Sequence, residues 1–237
     1  MEVTLPSARA VAVGAMLALA GAVAAARQDV VKSGFVPERV DRVAQFIQHR
    51  VDDGRLPGAV LLLARHGQVA TLRAFGVADI ASRAPMRPDS LFRLASASKI
   101  LTTVGVLSLY DEGRFALTDP VGHYLPEFQT PQVRQADGTV GPAGRRLTIR
   151  DLLRHTTGYG YGGDAAQLAA YQRAGLMPPG RDDDWSHTLT LAQWSSRLAA
   201  VPLDAEPGTR FEYGLGADIA GALIERVSGQ PLDVFLK

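Results

Sequence analysis

The order of the first elements constrains this chain most. Residues 37–54 place Val40, Val43, Phe46, Ile47 and Val51 along one side, with Arg39, Asp41, Arg42, Gln45 and Arg50 elsewhere. That is helical spacing, and Pro37 suits a first turn. Pro57-Gly58 ends the helix. Residues 59–64 are continuously apolar and read as a buried strand. His66-Gly67 is a turn, and residues 69–76 alternate by face as the partner strand. A helix followed by an antiparallel hairpin predicts an α+β architecture rather than βαβ repeats.

The remainder reads as mostly helical. Residues 81–92 are turn-rich and lead into the apolar run 100–110, where Ile100, Leu101, Val104 and Leu107 fall at helical spacing and Gly113 is the stop. Residues 147–155 form a short helix, residues 131–146 a surface loop, and residues 191–200 a further helix. Pro207-Gly208 is a turn. Residues 214–228 make an amphipathic helix with Ile219, Leu223, Ile224 and Val227 apolar, closed by Gly229.

At 237 residues the chain can bury a sizeable core. A net charge of +1, with both signs interspersed, argues against a nucleic-acid partner. There is no cysteine, so disulfides and thiolate metal sites are excluded. Residues 11–26 are uninterruptedly apolar or small, follow Arg9 and end in two A-x-A positions. We read residues 1–26 as a secretory signal peptide, too short to span a bilayer, and residues 27–237 as the exported domain. That places the protein in the periplasm or outside the cell, with no stable membrane span after cleavage.

Ser96-Ala97-Ser98-Lys99 opens the 100–110 helix. Positions i and i+3 share a helix face, so a hydroxyl nucleophile lies within reach of an amine base. A serine is a weak nucleophile until a neighbouring base takes its proton. The helix N-terminus favours a developing oxyanion and holds the lysine pKa down. Of the 25 basic residues only Lys32, Lys99 and Lys237 are lysines, so Lys99 is the one interior lysine. Arginine cannot be deprotonated in a protein, whereas lysine can. The plain alternative is a lysine snorkelling from a buried helix. Tyr213, just before the 214–228 helix, is the second candidate. Beside a lysine ammonium and a helix dipole a phenol ionises more easily; its plain alternative is a half-buried tyrosine satisfied by backbone.

Three segments, in order, resemble the serine β-lactamase and penicillin-binding superfamily, and most closely class C β-lactamases and their family VIII carboxylesterase relatives. They are Phe92-Arg93-Leu94-Ala95-Ser96-Ala97-Ser98-Lys99, then Leu147-Thr148-Ile149-Arg150-Asp151-Leu152-Leu153-Arg154-His155-Thr156-Thr157-Gly158, then Pro207-Gly208-Thr209-Arg210-Phe211-Glu212-Tyr213 with the helix after it. The resemblance implies a β-lactamase/transpeptidase-like fold, an antiparallel sheet flanked by helices plus an all-α lobe. It implies Ser96 as nucleophile, Lys99 and Tyr213 as its activators, and neither metal nor other cofactor. The Ser96 N–H would be one oxyanion donor. The partner would be a small-molecule ester, a β-lactam or a peptidoglycan-like substrate. Competing readings are a D-alanyl peptidase and a penicillin- or peptidoglycan-binding module that acylates without turnover.

Two departures shape the expectation. Where the lactamase pattern has asparagine two places after the tyrosine, this chain has Leu215; ester hydrolysis is therefore expected over β-lactam hydrolysis. Family members also continue past this point through further strands. The chain is accordingly expected to be C-terminally truncated, to expose the apolar faces of its hairpin and of the Ser96 helix, and to fold poorly and act weakly alone. Other patterns carry less. The glycine-rich 158–163 stretch follows no strand and no helix clearly opens after it, so it reads as a loop bordering a cleft rather than a phosphate site. His49, His66, His123, His155 and His187 lack metal-ligand spacing, with His155 read as a cap or packing residue. The acidic run 182–184 lacks a calcium loop's pattern.

Overall fold

The computed structural model describes residues 30–177 and 188–237; the expected signal segment, His187 and the 182–184 run lie outside the described residues. The chain divides into two compact units, one ending at Arg93 and the other beginning at Leu94.

In the first unit, helix α1 (Pro37–Asp52) carries proline in its first turn and buries Val40 and Ala44. Strands β1 (Gly58–Arg65) and β2 (Gln68–Gly76) pair antiparallel, Gly58 opposite Gly76 and Leu62 opposite Leu72, with a register shift between Leu63 and Ala64. His66 and Gly67 both take positive φ, 51° and 75°, the backbone a two-residue hairpin turn requires. Arg73 on β2 pairs with Asp41 on α1 at 3.2 Å. As expected, apolar side chains of the hairpin remain exposed, among them Leu62, Val69 and Leu72.

In the second unit, a 3₁₀ turn (Ala95–Ala97) runs into helix α2 (Ser98–Asp111). Gly113, at φ 71°, follows its end. Strands β3 (Gln132–Arg134) and β4 (Val140–Pro142) form a second antiparallel hairpin. This corrects the surface loop expected over 131–146. Three-residue strands are too short to show a period; what fixes them is tertiary. Arg134 N–H donates to Leu203 O at 2.8 Å, Leu203 N–H donates to Gln132 O at 2.7 Å, and Val133 is buried between.

Helix α3 (Ile149–Arg154) begins with an Asp151 carboxylate that accepts from the Thr148 N–H and hydroxyl, from the Thr156 hydroxyl, and from both terminal nitrogens of Arg145. Burial works to raise the Asp151 pKa, but these donors outweigh it and hold it below the usual carboxylate value. Helix α4 (Ala165–Arg173) does open directly after the glycine-rich loop, contrary to expectation. Its free N–H groups are already taken, since Asp164 accepts from Ala166 and Gln167 at 2.8 Å, and no strand precedes the loop. An aspartate already seated at the N-cap makes that helix end a poor phosphate site. Helix α5 (Leu191–Ala199) opens with a Thr190/Gln193 capping box. Helices α6 (Gly216–Ser228) and α7 (Leu232–Phe235) complete the described chain. The core of this unit gathers on α6, where Ile219, Leu223 and Ile224 are fully buried among residues such as Leu109, Phe128, Leu152 and Leu198.

Candidate active site

Ser96 lies in the 3₁₀ turn rather than in the first α-turn, and Lys99 follows in the first turn of α2. The turn is entered through Ala95 at φ 46°, the left-handed region that a residue with a Cβ adopts at a cost. The lysine Nζ stands 3.4 Å from Ser96 Oγ, and it donates a shorter bond of 2.7 Å to the Tyr161 hydroxyl. It also lies 5.2 Å from the Tyr213 ring centroid and 5.4 Å from that of Tyr161, within cation–π range. The three sequence-predicted residues Ser96, Lys99 and Tyr213 thus converge, and a fourth, Tyr161, joins them. Tyr161 comes from the glycine-rich loop expected to border a cleft. A lone tyrosine among glycines carries no spacing signal for catalysis, so only the fold could place it here.

Tyr213 is positioned from several sides. The Gly214 N–H donates toward His155 Nδ1 at 3.4 Å, and the His155 ring packs on Tyr213 at 4.7 Å and on Phe211 at 6.0 Å. His155 closes α3 in the left-handed conformation, φ 53°, so it caps and packs as expected. Burial and the Lys99 charge push its pKa below the ordinary histidine value, which keeps the imidazole neutral and Nδ1 free to accept. Glycine is required at 214 and 160 because the strands of this loop touch there: a Cβ on Gly214 would collide with Tyr159 O, and one on Gly160 with the Glu212 side chain.

The electrostatics differ from the sequence expectation in one respect. Burial acts to lower the Lys99 pKa, but the Tyr161 hydrogen bond and the fields of Tyr161, Tyr213 and Asp218 more than offset it, and the ammonium is held above its ordinary value. Tyr213 moves the other way. Its hydrogen bond with the Ser96 hydroxyl, helped by the charge of Lys99 and a hydrogen bond with it, outweighs burial and the Asp218 carboxylate, and its pKa falls below that of free tyrosine. The pair is arranged as a fixed cation beside an acidified phenol. Leu215, at the position of the lactamase amide, is buried in the core, its N–H donating to Tyr159 O at 3.0 Å. It presents no polar group to a substrate.

The Beta-lactamase family model matches residues 43–237. Esterase EstB of Burkholderia gladioli is 42% identical over 180 residues, which is 75% of this chain and 43% of that protein. Monacolin J acid methylbutanoyltransferase of Aspergillus terreus is 31% identical over 201 residues, 79% of this chain and 46% of that protein. The solved structure of EstCE1, a hydrolase with promiscuous acyltransferase activity, matches with a TM-score of 0.70 at 36% identity, covering 89% of this chain and 50% of that one. The chain spans about half the length of these relatives.

Proposed function

The chain belongs to the Beta-lactamase family, and from that premise we propose that it forms the nucleophile-bearing part of a serine esterase working through an acyl-enzyme on Ser96. One observation carries the reading: Ser96, Lys99 and Tyr213 converge, with Tyr213 acidified and Lys99 kept cationic. Tyr213, as phenolate, takes the Ser96 proton while Oγ bonds to the ester carbonyl carbon. The tetrahedral oxyanion meets the Ser96 N–H. Collapse breaks the bond to the alkoxide, which leaves with the proton returned by Tyr213. Water then repeats the sequence in reverse and releases the acid. Lys99 stays charged throughout, and Tyr161 holds it in place. An alcohol in place of water would give acyl transfer, an outcome favoured by the acyltransferases among the relatives. Leu215 supports esters over β-lactams.

The test compares short-chain p-nitrophenyl esters with a chromogenic cephalosporin on the protein carrying this chain. Ester turnover should exceed cephalosporin turnover and should vanish with Ser96→Ala, which should also abolish labelling by a fluorophosphonate probe. Labelling that survives Ser96→Ala, or cephalosporin turnover above that of the esters, sinks the reading. We further propose export of the protein, on the apolar 11–26 stretch and its A-x-A positions. N-terminal sequencing of the protein recovered outside the cytoplasm should begin near residue 27; an intact Met1 on that material would refute cleavage.

A further inference from the structure

Asp218 occupies the first turn of α6. An acid there is favoured by the helix dipole, which would by itself account for its presence. Its surroundings supply one. α2 and α6 pack against each other, and between them lies a cavity of about 210 Å³ walled by Ser98, Lys99 and Thr102 on one side and by Ala217, Asp218 and Gly221 on the other. Ala95, Leu191 and Leu232 complete the lining. Within that lining Lys99 and Asp218 are the two charged side chains, of opposite sign. Opposite charges that face one cavity attract each other, the more so the less water screens them.

The groups facing Lys99 come from every neighbouring element. They are Ser96 from its own turn, Tyr161 from the glycine-rich loop, neutral His155 from the end of α3, and Tyr213 and Asp218 from the α6 segment. Of these, Asp218 is the one carboxylate.

We propose that Asp218 is a positioning residue, the counter-ion that holds Lys99 as an ammonium across the cavity so that Lys99 serves Tyr213 as a fixed cation and not as a proton acceptor. The proposal rests on the reading of Ser96, Lys99 and Tyr213 as an acyl-transfer site. Two effects support it. The Asp218 field favours the charged form of Lys99; burial pushes the Asp218 pKa above the usual carboxylate value, and the Lys99 charge acts against that rise in favour of the carboxylate. The carboxylate also opposes ionisation of Tyr213, so Asp218 sets both members of the pair, in the same direction on the pH scale.

The chain's composition provides a test that does not depend on turnover. It contributes three lysines, so ¹³Cε-lysine labelling of the protein carrying this chain keeps the side-chain signals few, and Lys99→Arg identifies the one from Lys99. In the wild-type protein the Lys99 signal should titrate above the ordinary lysine value. Asp218→Asn should lower the Lys99 midpoint by about one pH unit, a roughly tenfold loss of proton affinity, and leave the other two unmoved. Asp218→Glu should restore it. In turnover, Asp218→Asn should carry both limbs of the pH–rate profile to lower pH, which a merely structural loss would not do. A Lys99 midpoint unchanged in Asp218→Asn overturns the proposal. If that variant fails to fold, a wild-type Lys99 midpoint at or below the ordinary lysine value overturns it equally. Absence of any esterase turnover would count against the acyl-transfer reading and leave the lysine titration to decide the role of Asp218.

Discussion

Helices α2 and α6 pack against each other and each delivers part of the site, yet they are built differently. α6 is embedded: from Ile219 to Ile224 every residue is buried. α2 is equally apolar in sequence but only one of its faces is used. Val106 and Leu109 are buried at 0% and 1% exposure, whereas Ile100, Leu101, Val104 and Leu107 stand between 40% and 68% exposed. The tyrosine side of the site therefore inherits its geometry from a filled core. The serine–lysine side rests on a helix with half of its apolar surface unpaired, more than scattered surface leucines would give. A site assembled around one fixed and one half-supported helix owes its alignment to the contacts Lys99 makes beyond α2, the hydrogen bond to Tyr161 of the glycine-rich loop and the ring contact with Tyr213 just ahead of α6.

Matched residues on the two faces of α2 test this asymmetry most directly. Leu109→Ala should cost about 2–5 kcal/mol, and Val106→Ala about 2 kcal/mol, because each leaves a cavity as well as losing buried area. Leu107→Ala and Val104→Ala should each cost less than about 1 kcal/mol. Denaturant unfolding of the four variants decides it. If Val104→Ala were as costly as Val106→Ala, the outward face would be covered in solution and the contrast between the helices would disappear.

The same contrast explains what could be read from the sequence. Helix α1, its hairpin and α6 show long periods or strong turn signals, and their positions were legible. The Ser96–Lys99 pair was legible because spacing on one turn is local and lysine is scarce in this chain. Tyr213 was legible through the segment that surrounds it. Tyr161, Asp218 and the β3–β4 hairpin were not. Tyr161 reaches Lys99 across 62 positions of chain, from a loop whose glycines announce flexibility rather than contact. Asp218 looks like any first-turn acid, and only the packing of α2 on α6 puts it across a cavity from Lys99. The sign of the Lys99 shift was illegible for the same reason: a local helix terminus was visible, while Tyr161 and Asp218 were not.

The smallest expected effect tests the loop that carries Tyr161. Asp204 anchors that loop, its N–H donating to Gly158 O at 3.0 Å, and its carboxylate lies 3.4 Å from Arg134 with 8% of its side chain exposed. Burial first, and then the nearby Asp164 charge, push its pKa up to about 6 against the attraction of Arg134. Because the folded value lies above the unfolded one, the folded protein binds a proton between about pH 4 and 6 that the unfolded chain releases. This group's contribution to stability is therefore fully present below the unfolded value of 3.8 and is lost as pH rises through about 6. Ionising it costs the fold up to about 3 kcal/mol. Asp204→Asn removes that cost but leaves Arg134 with a neutral partner, so the net gain should be only about 1 kcal/mol at pH 8. The gain should vanish near pH 4, where wild-type Asp204 is itself neutral. Thermal unfolding of both proteins from pH 4 to pH 8 checks this. A variant less stable than wild type at pH 8 would mean that the Arg134 pair outweighs burial. The Tyr161 loop would then be held by an ion pair, and the tyrosine side of the site would be more dependent on charge than its filled core suggests.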